Sequence, residues 1–262
     1  TINQKALTIT ATNDSKTYGD VKTYGSGSSA FTSSGLVNSE TIGSVTITDT
    51  NSGGVATAAA NGSYALTPSA AVGGTFNISN YAVTYTAGTL SVGQKALTIT
   101  ANAQSTTYGT ALALGTSGFT QTGLTNSDSI SAVTLKQNSN TTVPATQAAG
   151  TYSTTSGIVP SAASGSGLSN YAITYVNGTL TINKAALTIT ANNDSKTYGD
   201  VKTYGSGSSA FTSSGLVNSE TIGSVTITDT NSGGVATAAA LGSYALTPSA
   251  ATGGTFNTSN YT

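Results

Sequence analysis

The sequence predicts a mainly β chain: three tandem β-rich domains, each a β-grasp-like sheet or an immunoglobulin-like sandwich with at most one short helix, strung into an elongated rod. Three observations predict it. Ala6-Leu7-Thr8-Ile9-Thr10-Ala11 returns from Ala96 and again from Ala186, so that Leu7, Leu97 and Leu187 are spaced by 90 residues both times. A fixed period of this kind marks an array of like units. Within each unit apolar and polar residues alternate with period two, which is the pattern of a half-buried strand. Finally, only the four residues from Gly93 to Ala96, or from Asn183 to Ala186, separate the last strand of one unit from the first of the next. No flexible spacer intervenes.

The units run over residues 4–93, 94–183 and 184–262, and residues 1–3 match the tail of a preceding unit, since Thr1-Ile2-Asn3 repeats as Thr181-Ile182-Asn183. A unit of this size buries about 60% of its unfolded surface, enough for a modest core. The first and third units differ at seven of their 79 shared positions. The second is far more divergent, so the order is A-B-A. The third stops opposite Ala82 and lacks the closing hairpin that residues 83–92 form in the first.

Taken in order, the first strand is read from Leu7, Ile9 and Ala11 alternating with Thr8 and Thr10. A second is read from Val45 and Ile47, and another from Tyr81, Val83 and Tyr85. The β-branched and aromatic residues in these runs favour strands as well. Asn38-Ser39-Glu40-Thr41-Ile42, echoed as Asn126-Ser127-Asp128-Ser129-Ile130, sets a capping residue before an acid and predicts one helical turn or a short helix. Asn177-Gly178, between Ala172-Ile173-Thr174-Tyr175-Val176 and Thr179-Leu180-Thr181-Ile182, predicts a two-residue hairpin with a type I′ turn. Ala87-Gly88 stands in the same place in the first unit.

The junctions add a constraint. Leu90 and Val92 are even-numbered while Leu97 and Ile99 are odd, so the buried face changes parity across the boundary and one strand cannot run straight through. A unit that is entered at one pole and left at the other meets this constraint, with its first strand parallel to its last. Three compact units in such a series would extend on the order of 100 Å.

Composition removes several function classes. The chain has eight Lys, no Arg and a net charge of −1, which leaves no basic footprint for nucleic acid. No run of 18 apolar residues offers a membrane-spanning helix. Charged residues make up 6% of the chain, against about 25% in ordinary soluble proteins. Thr, Ser, Asn and Gly must therefore form the surface, and its behaviour should depend little on salt. Without Cys or His, disulfides and the usual general bases and nucleophile partners are missing. No Lys position recurs in all three units, since Lys5 and Lys95 give way to Ala185 and Lys16 and Lys196 to Thr106. A shared Lys-dependent chemistry is therefore not expected, and the reading is that of a non-enzyme without cofactors.

The candidate sites that remain are few. Asp14 with Asp20, and their copies Asp194 and Asp200, are weak candidates for calcium, which takes six to eight oxygens. Unit two has Ala103 and Thr110 there. Tyr18, Tyr64, Tyr81 and Tyr85 recur as Tyr108, Tyr152, Tyr171 and Tyr175. Residues filling the same place in each unit read as core residues whose hydroxyl reaches the rim, with stacking on sugars as the other reading. Ligand contacts are sought where unit two departs from its siblings: at Lys136 and Asn138, and at Gln147 in the 144–147 loop.

Taken together the residues resemble the MBG repeat of the YGX type, found in large bacterial surface and secreted adhesins. The resemblance is carried by Ala-Leu-Thr-Ile-Thr-Ala at 6–11, Lys16-Thr17-Tyr18-Gly19, Gly35-Leu36-Val37-Asn38-Ser39-Glu40-Thr41-Ile42, Gly62-Ser63-Tyr64, Pro68-Ser69-Ala70, Ser79-Asn80-Tyr81 and Asn177-Gly178-Thr179-Leu180-Thr181-Ile182. It covers the chain three times. It implies an extracellular or cell-surface location, a β-rich module of the kind discussed with mucin-binding domains, and no catalytic residues. The expected role is that of a stalk or spacer in an adhesin or matrix fibre, with cell adhesion and biofilm as its setting. Its partners would be neighbouring repeats and, through an open sheet edge at repeat 3, other copies. The alternative is a glycan- or mucin-binding module.

Overall fold

The computed structural model describes all 262 residues. Repeat 1 consists of β1 (Lys5–Ala11), β2 (Asp14–Thr17), β3 (Phe31–Ser34), β4 (Ile42–Asp49), β5 (Ser63–Gly74), β6 (Tyr81–Thr86) and β7 (Gly88–Gly93). They form two sheets, ordered β3-β1-β6 and β2-β7-β5-β4. Leu7, Ile9 and Ala11 of β1 and Tyr81 of β6 meet Val45, Ile47, Leu66, Ala71 and Leu90 from the other sheet in one core. Each fully buried Leu or Ile contributes about 1.5–3 kcal/mol. This is a sandwich; the β-grasp-like option would place a helix across one sheet, and these repeats contain none longer than three residues.

The first and last segments of the repeat run parallel, as the junction spacing requires. Lys5 pairs with Tyr81 through to Thr10 with Thr86, and Asp14 pairs with Leu90 through to Thr17 with Gly93. The offset is 76 in both ladders, so the two segments cross from one sheet to the other side by side. The crossing explains the parity. Tyr81 and Ile9 point into the core from the first sheet, and Leu90 and Val92 from the second. A strand that passes between two facing sheets must present its opposite face to reach the same core. The parity therefore changes first at Ala87, within the repeat, and again at Gln94.

This geometry corrects the expected hairpin. In repeat 2 the strands are β8 (Lys95–Ala101), β9 (Gln104–Thr107), β10 (Leu112–Ala113), β11 (Phe119–Thr122), β12 (Ser129–Lys136), β13 (Thr142–Val143), β14 (Gly150–Tyr152), β15 (Val159–Ser166), β16 (Tyr171–Val176) and β17 (Leu180–Asn183). β16 lies in the sheet β11-β8-β16 and β17 in the sheet β14-β17-β9, so Asn177-Gly178 is the crossover and not a turn between paired strands. Neither residue has a positive φ. Gly178 exchanges both backbone hydrogen bonds with Ile158 at 2.8 Å. A Cβ on Gly178 would lie 2.5 Å from the carbonyl oxygen of Ala101, and one on Gly88 would strike that of Ala11. Glycine is needed here for close approach of two backbones.

The expected helical turn is also corrected. Asn38 and Ser39 have φ of 55° and 56°, and the amide of Glu40 donates to the carbonyl of Val37 at 3.0 Å. This is a left-handed four-residue turn of the type I′ class, which Asn tolerates. Asn126-Ser127 and Asn218-Ser219 repeat it. The helical content is confined to single 3₁₀ turns at Ile78–Asn80, Thr154–Ser156, Leu168–Asn170 and Thr258–Asn260. Each is three residues long.

Repeat 3 comprises β18 (Thr188–Ala191), β19 (Phe211–Ser214), β20 (Ile222–Asp229) and β21 (Leu246–Gly254). Its parallel ladder is reduced to one bridge, Ala185 with Tyr261. Leu187, Ile189 and Leu246 are half-buried, where Leu7, Ile9 and Leu66 are buried. A cleft of about 1040 Å³ lies between residues 191–198 and 238–246.

The chain divides into two compact units, and the division falls inside repeat 2. One holds Thr1–Thr100, Phe119–Val133 and Ala162–Val176; the other holds Ala101–Gly118, Thr134–Ser161 and Asn177–Thr262. Each contact between consecutive repeats described below therefore lies within a single unit.

Candidate functional site

The site that recurs is the seam between repeats. Thr17-Tyr18-Gly19-Asp20 forms a tight turn: the amide of Asp20 donates to the carbonyl of Thr17 at 3.0 Å, and Gly19 has a φ of 92°. Positive φ at the third position is what a type II turn requires, and Gly supplies it without strain. The turn is anchored in its own repeat, with Tyr18 N donating to Gly93 O at 2.9 Å and Gly19 N to Ala56 O at 3.0 Å. The Lys16 ammonium, buried beneath it, donates to the carbonyls of Asp20 (2.8 Å) and Val55. Burial lowers the pKa of Lys16, and the carboxylates of Asp20 and Asp49 partly offset that.

The Tyr18 side chain leaves its own repeat and enters the next. Its hydroxyl donates to Asp128 Oδ2 at 2.9 Å. Its ring stands edge-on to Tyr171, and Tyr171 donates to the same carboxylate oxygen at 2.7 Å while accepting from Thr125 N at 3.0 Å. Two side-chain amides complete the seam. Asn126 Nδ2 donates to Ala56 O at 2.8 Å, and Asn170 Oδ1 accepts from Ala60 N at 2.9 Å. Burial, then the hydrogen bond to Asp128, pushes the Tyr171 pKa up to about 12.

The second seam is built the same way. Tyr108 donates to Glu220 Oε1 at 2.7 Å, and Tyr261 donates to the other oxygen of that carboxylate. The two rings are 5.6 Å apart at 84°. Asn218 Nδ2 donates to Ala145 O at 3.2 Å, and Asn260 Oδ1 accepts from Ala149 N at 2.9 Å. Burial and the Glu220 hydrogen bond push the Tyr261 pKa up to about 12 and raise that of Tyr108. A carboxylate accepting from two phenols forms charge-assisted bonds, roughly twice as strong as neutral ones. The arrangement holds surfaces together and offers no nucleophile or proton shuttle.

The sequence-derived candidates fall elsewhere. Asp14 pairs with the Lys22 ammonium and accepts from Tyr24 at 2.9 Å. Asp20 Oδ2 accepts from Thr17 N. Asp194 pairs with Lys202, and Asp200 Oδ2 accepts from Thr197 N. The acids gather into no group of three, and Asp14 and Asp194 are each already paired with an ammonium, which is a poor donor set for calcium. Lys136 is exposed at the end of β12, and Asn138 sits at the tip of the two-residue hairpin closed between Gln137 and Asn140. Gln147 closes a separate turn by donating its amide to Pro144 O at 3.0 Å. That loop carries Ala145 and Ala149, the backbone partners of Asn218 and Asn260, so the place where unit two diverges belongs to the seam.

Of the recurring tyrosines, Tyr85 and Tyr175 accept within their own repeat from Ala71 N and Ala163 N at 2.9 Å, and Tyr64 and Tyr152 donate within theirs to the carbonyls of Ala59 and Ala148. Tyr18 and Tyr108 serve the neighbour. One sequence signal marked the seam: Glu40, Asp128 and Glu220 fill the one acidic position present in all three repeats, in a chain with nine acids.

No curated protein matches the chain. A family model described as MBG domain (YGX type) matches residues 7–91, 97–181 and 187–262. Three consecutive matches over nearly the full length, each including a Tyr-Gly turn, make this chain a member of the MBG domain family of the YGX type.

Proposed function

We propose that the chain is a spacer segment of a bacterial surface or extracellular adhesin or matrix fibre, and that its work is mechanical: to hold successive repeats in fixed register. The observation that carries this reading is the seam, built twice from the same parts with Tyr18 and Tyr108 withdrawn from solvent to 3% and 6% exposure. Side chains committed to the neighbouring repeat are not free to stack on sugars, which weighs against the glycan-binding alternative. So does the separation of Lys136 and Asn138, on one hairpin tip, from Gln147, in a seam loop.

Backbone relaxation by nuclear magnetic resonance tests it. Repeat 1 and β8, β11 and β16 of repeat 2 should share one rotational correlation time, and Tyr18→Ala should separate them. Equal tumbling in the variant, or independent tumbling in the wild type, would remove the basis for a mechanical role. Labelling of intact producing cells with an antibody to the chain tests the surface location.

A further inference from the structure

We propose that Asn61, followed by Gly62, is a site of spontaneous deamidation, and that its conversion to isoaspartate loosens the first seam and leaves the second intact. The chemistry needs only the geometry around that seam and holds whether or not the chain serves as a spacer. Asn is thermolabile by an intramolecular route. The Gly62 backbone nitrogen gives up its proton and attacks Asn61 Cγ. The bond from Cγ to the side-chain nitrogen breaks, and that nitrogen leaves as ammonia with the proton that Gly62 released. The five-membered succinimide then takes up one water. Opening at one carbonyl gives aspartate; opening at the other gives isoaspartate, whose backbone runs through the former side chain.

The chain has two Asn-Gly pairs, and their surroundings differ. Asn177 is half-buried, and its Nδ2 donates to Thr154 O at 2.8 Å. The attacking nitrogen there is also engaged, because Gly178 N donates to Ile158 O at 2.8 Å. Asn61 is exposed. No hydrogen bond restrains its side chain, and Gly62 N reaches Ala59 O only at 3.3 Å. Packing keeps Gly62 a glycine, since a Cβ there would lie 2.6 Å from the Tyr64 ring and 2.8 Å from Ala59 O. Repeat 3 has the same glycine as Gly242 but Leu241 before it.

The reactive pair adjoins the first seam. Ala60 N donates to Asn170 Oδ1 across it at 2.9 Å. The next two residues are clamped to β7: Asn61 N donates to Val92 O at 2.7 Å, and Gly62 O accepts from Val92 N at 3.2 Å. Isoaspartate inserts one extra backbone carbon between those two clamps. Val92 is buried in the core and its strand is fixed, so the added length displaces the Ala60 side, which holds the next repeat by a single hydrogen bond. At the second seam Ala149 N plays the part of Ala60 N, and Gly150 follows it. Glycine has no side-chain carbonyl to attack, so that seam carries no such site.

The test ages the whole chain at mildly alkaline pH. Peptide mass spectrometry follows the exchange of a side-chain NH2 for OH, an isoaspartyl methyltransferase assay identifies isoaspartate, and hydrogen exchange reads the seam amides. Asn61 should convert about tenfold or more faster than Asn177, whose reaction must first break two hydrogen bonds. The rate should rise with pH, because the attacking nitrogen must lose its proton. In the aged chain the Ala60 amide should lose about tenfold or more of its protection while that of Ala149 keeps its own. Asn61→Leu should abolish both changes; it folds without new strain, since Leu241 stands at the same place with a φ of 60° against 58° at Asn61. Asn61 intact after Asn177 has converted would overturn the proposal. So would isoaspartate at Asn61 with Ala60 still protected, or the same loss of Ala60 protection in the aged Asn61→Leu chain.

Discussion

Tyr18 meets Tyr171 edge to face, ring centroids 5.4 Å apart at an interplanar angle of 77°, although the two residues belong to different repeats. Both hydroxyls converge on Asp128. One ionised group thus holds an aromatic pair drawn from two domains, and Glu220 does the same for Tyr108 and Tyr261.

Removing the ring should therefore destabilise more than one repeat. Tyr18→Ala or Tyr108→Ala should cost about 3–5 kcal/mol, the range for deleting a buried aromatic side chain. Tyr18→Phe, which keeps the ring and leaves Asp128 with Tyr171, should cost about 1 kcal/mol. Tyr198→Ala should stay within about 0.5 kcal/mol, as for exposed residues. Urea unfolding of the four chains checks the order. A Tyr198 variant as damaged as the Tyr18 variant would contradict the assignment of Tyr18 to the seam.

Alkali should loosen the seams before it unfolds the repeats. The pKa values of Tyr171 and Tyr261 are raised to about 12, against about 10 in an unfolded chain. A raised pKa means that the folded state favours the neutral phenol. The resulting stabilisation is complete below about pH 10 and is lost as the pH rises from there through about 12. The melting temperature should hold steady from neutral pH to about 9 and fall above 10. Ultraviolet difference titration should show these phenols ionising late. Ionisation of all thirteen tyrosines near pH 10 with the melting temperature unchanged would contradict the burial of these hydroxyls.

The crossover glycines should be intolerant of any side chain. A Cβ at Gly88 or Gly178 strikes the carbonyl of Ala11 or Ala101, and both backbones are fixed by ladders on either side. Gly88→Ala should cost about 1–3 kcal/mol, the range for overpacking. Gly25→Ala, where nothing lies within 4 Å, should stay within about 0.5 kcal/mol. Thermal unfolding of the two variants compares them directly.

The strands were legible because alternation at Leu7, Ile9 and Ala11 reports a face, and the parallel arrangement of first and last segments followed from spacing alone. The sheet assignment was not. Asn177-Gly178 carries the composition of a hairpin turn, and nothing local distinguishes it from a crossover where glycine is needed against a distant carbonyl. Asn38-Ser39-Glu40 misled for a related reason: residues that cap helices are those that tolerate left-handed turns. The seam was half visible. Recurrence marked Tyr18 and Glu40 as important, but recurrence is the same for a residue that packs in its own repeat and for one that packs in the next.

Completing repeat 3 should restore its core. In repeat 1, β6 and β7 cover Leu7, Ile9 and Leu66. In repeat 3, Leu187, Ile189 and Leu246 are half-buried, and Asp194-Ser195-Lys196-Thr197, the counterpart of β2, is not a strand. A chain extended beyond Thr262 by the residues found at 83–92 supplies both missing partners. If each of the three side chains regains about half of the 1.5–3 kcal/mol that full burial provides, repeat 3 should gain about 3 kcal/mol. Its melting temperature should rise, and the amides of β18 should become protected from hydrogen exchange to the degree seen in β1. An extended chain with unchanged melting and unprotected β18 amides would mean that the half-buried side chains of repeat 3 are not an open core waiting for these strands.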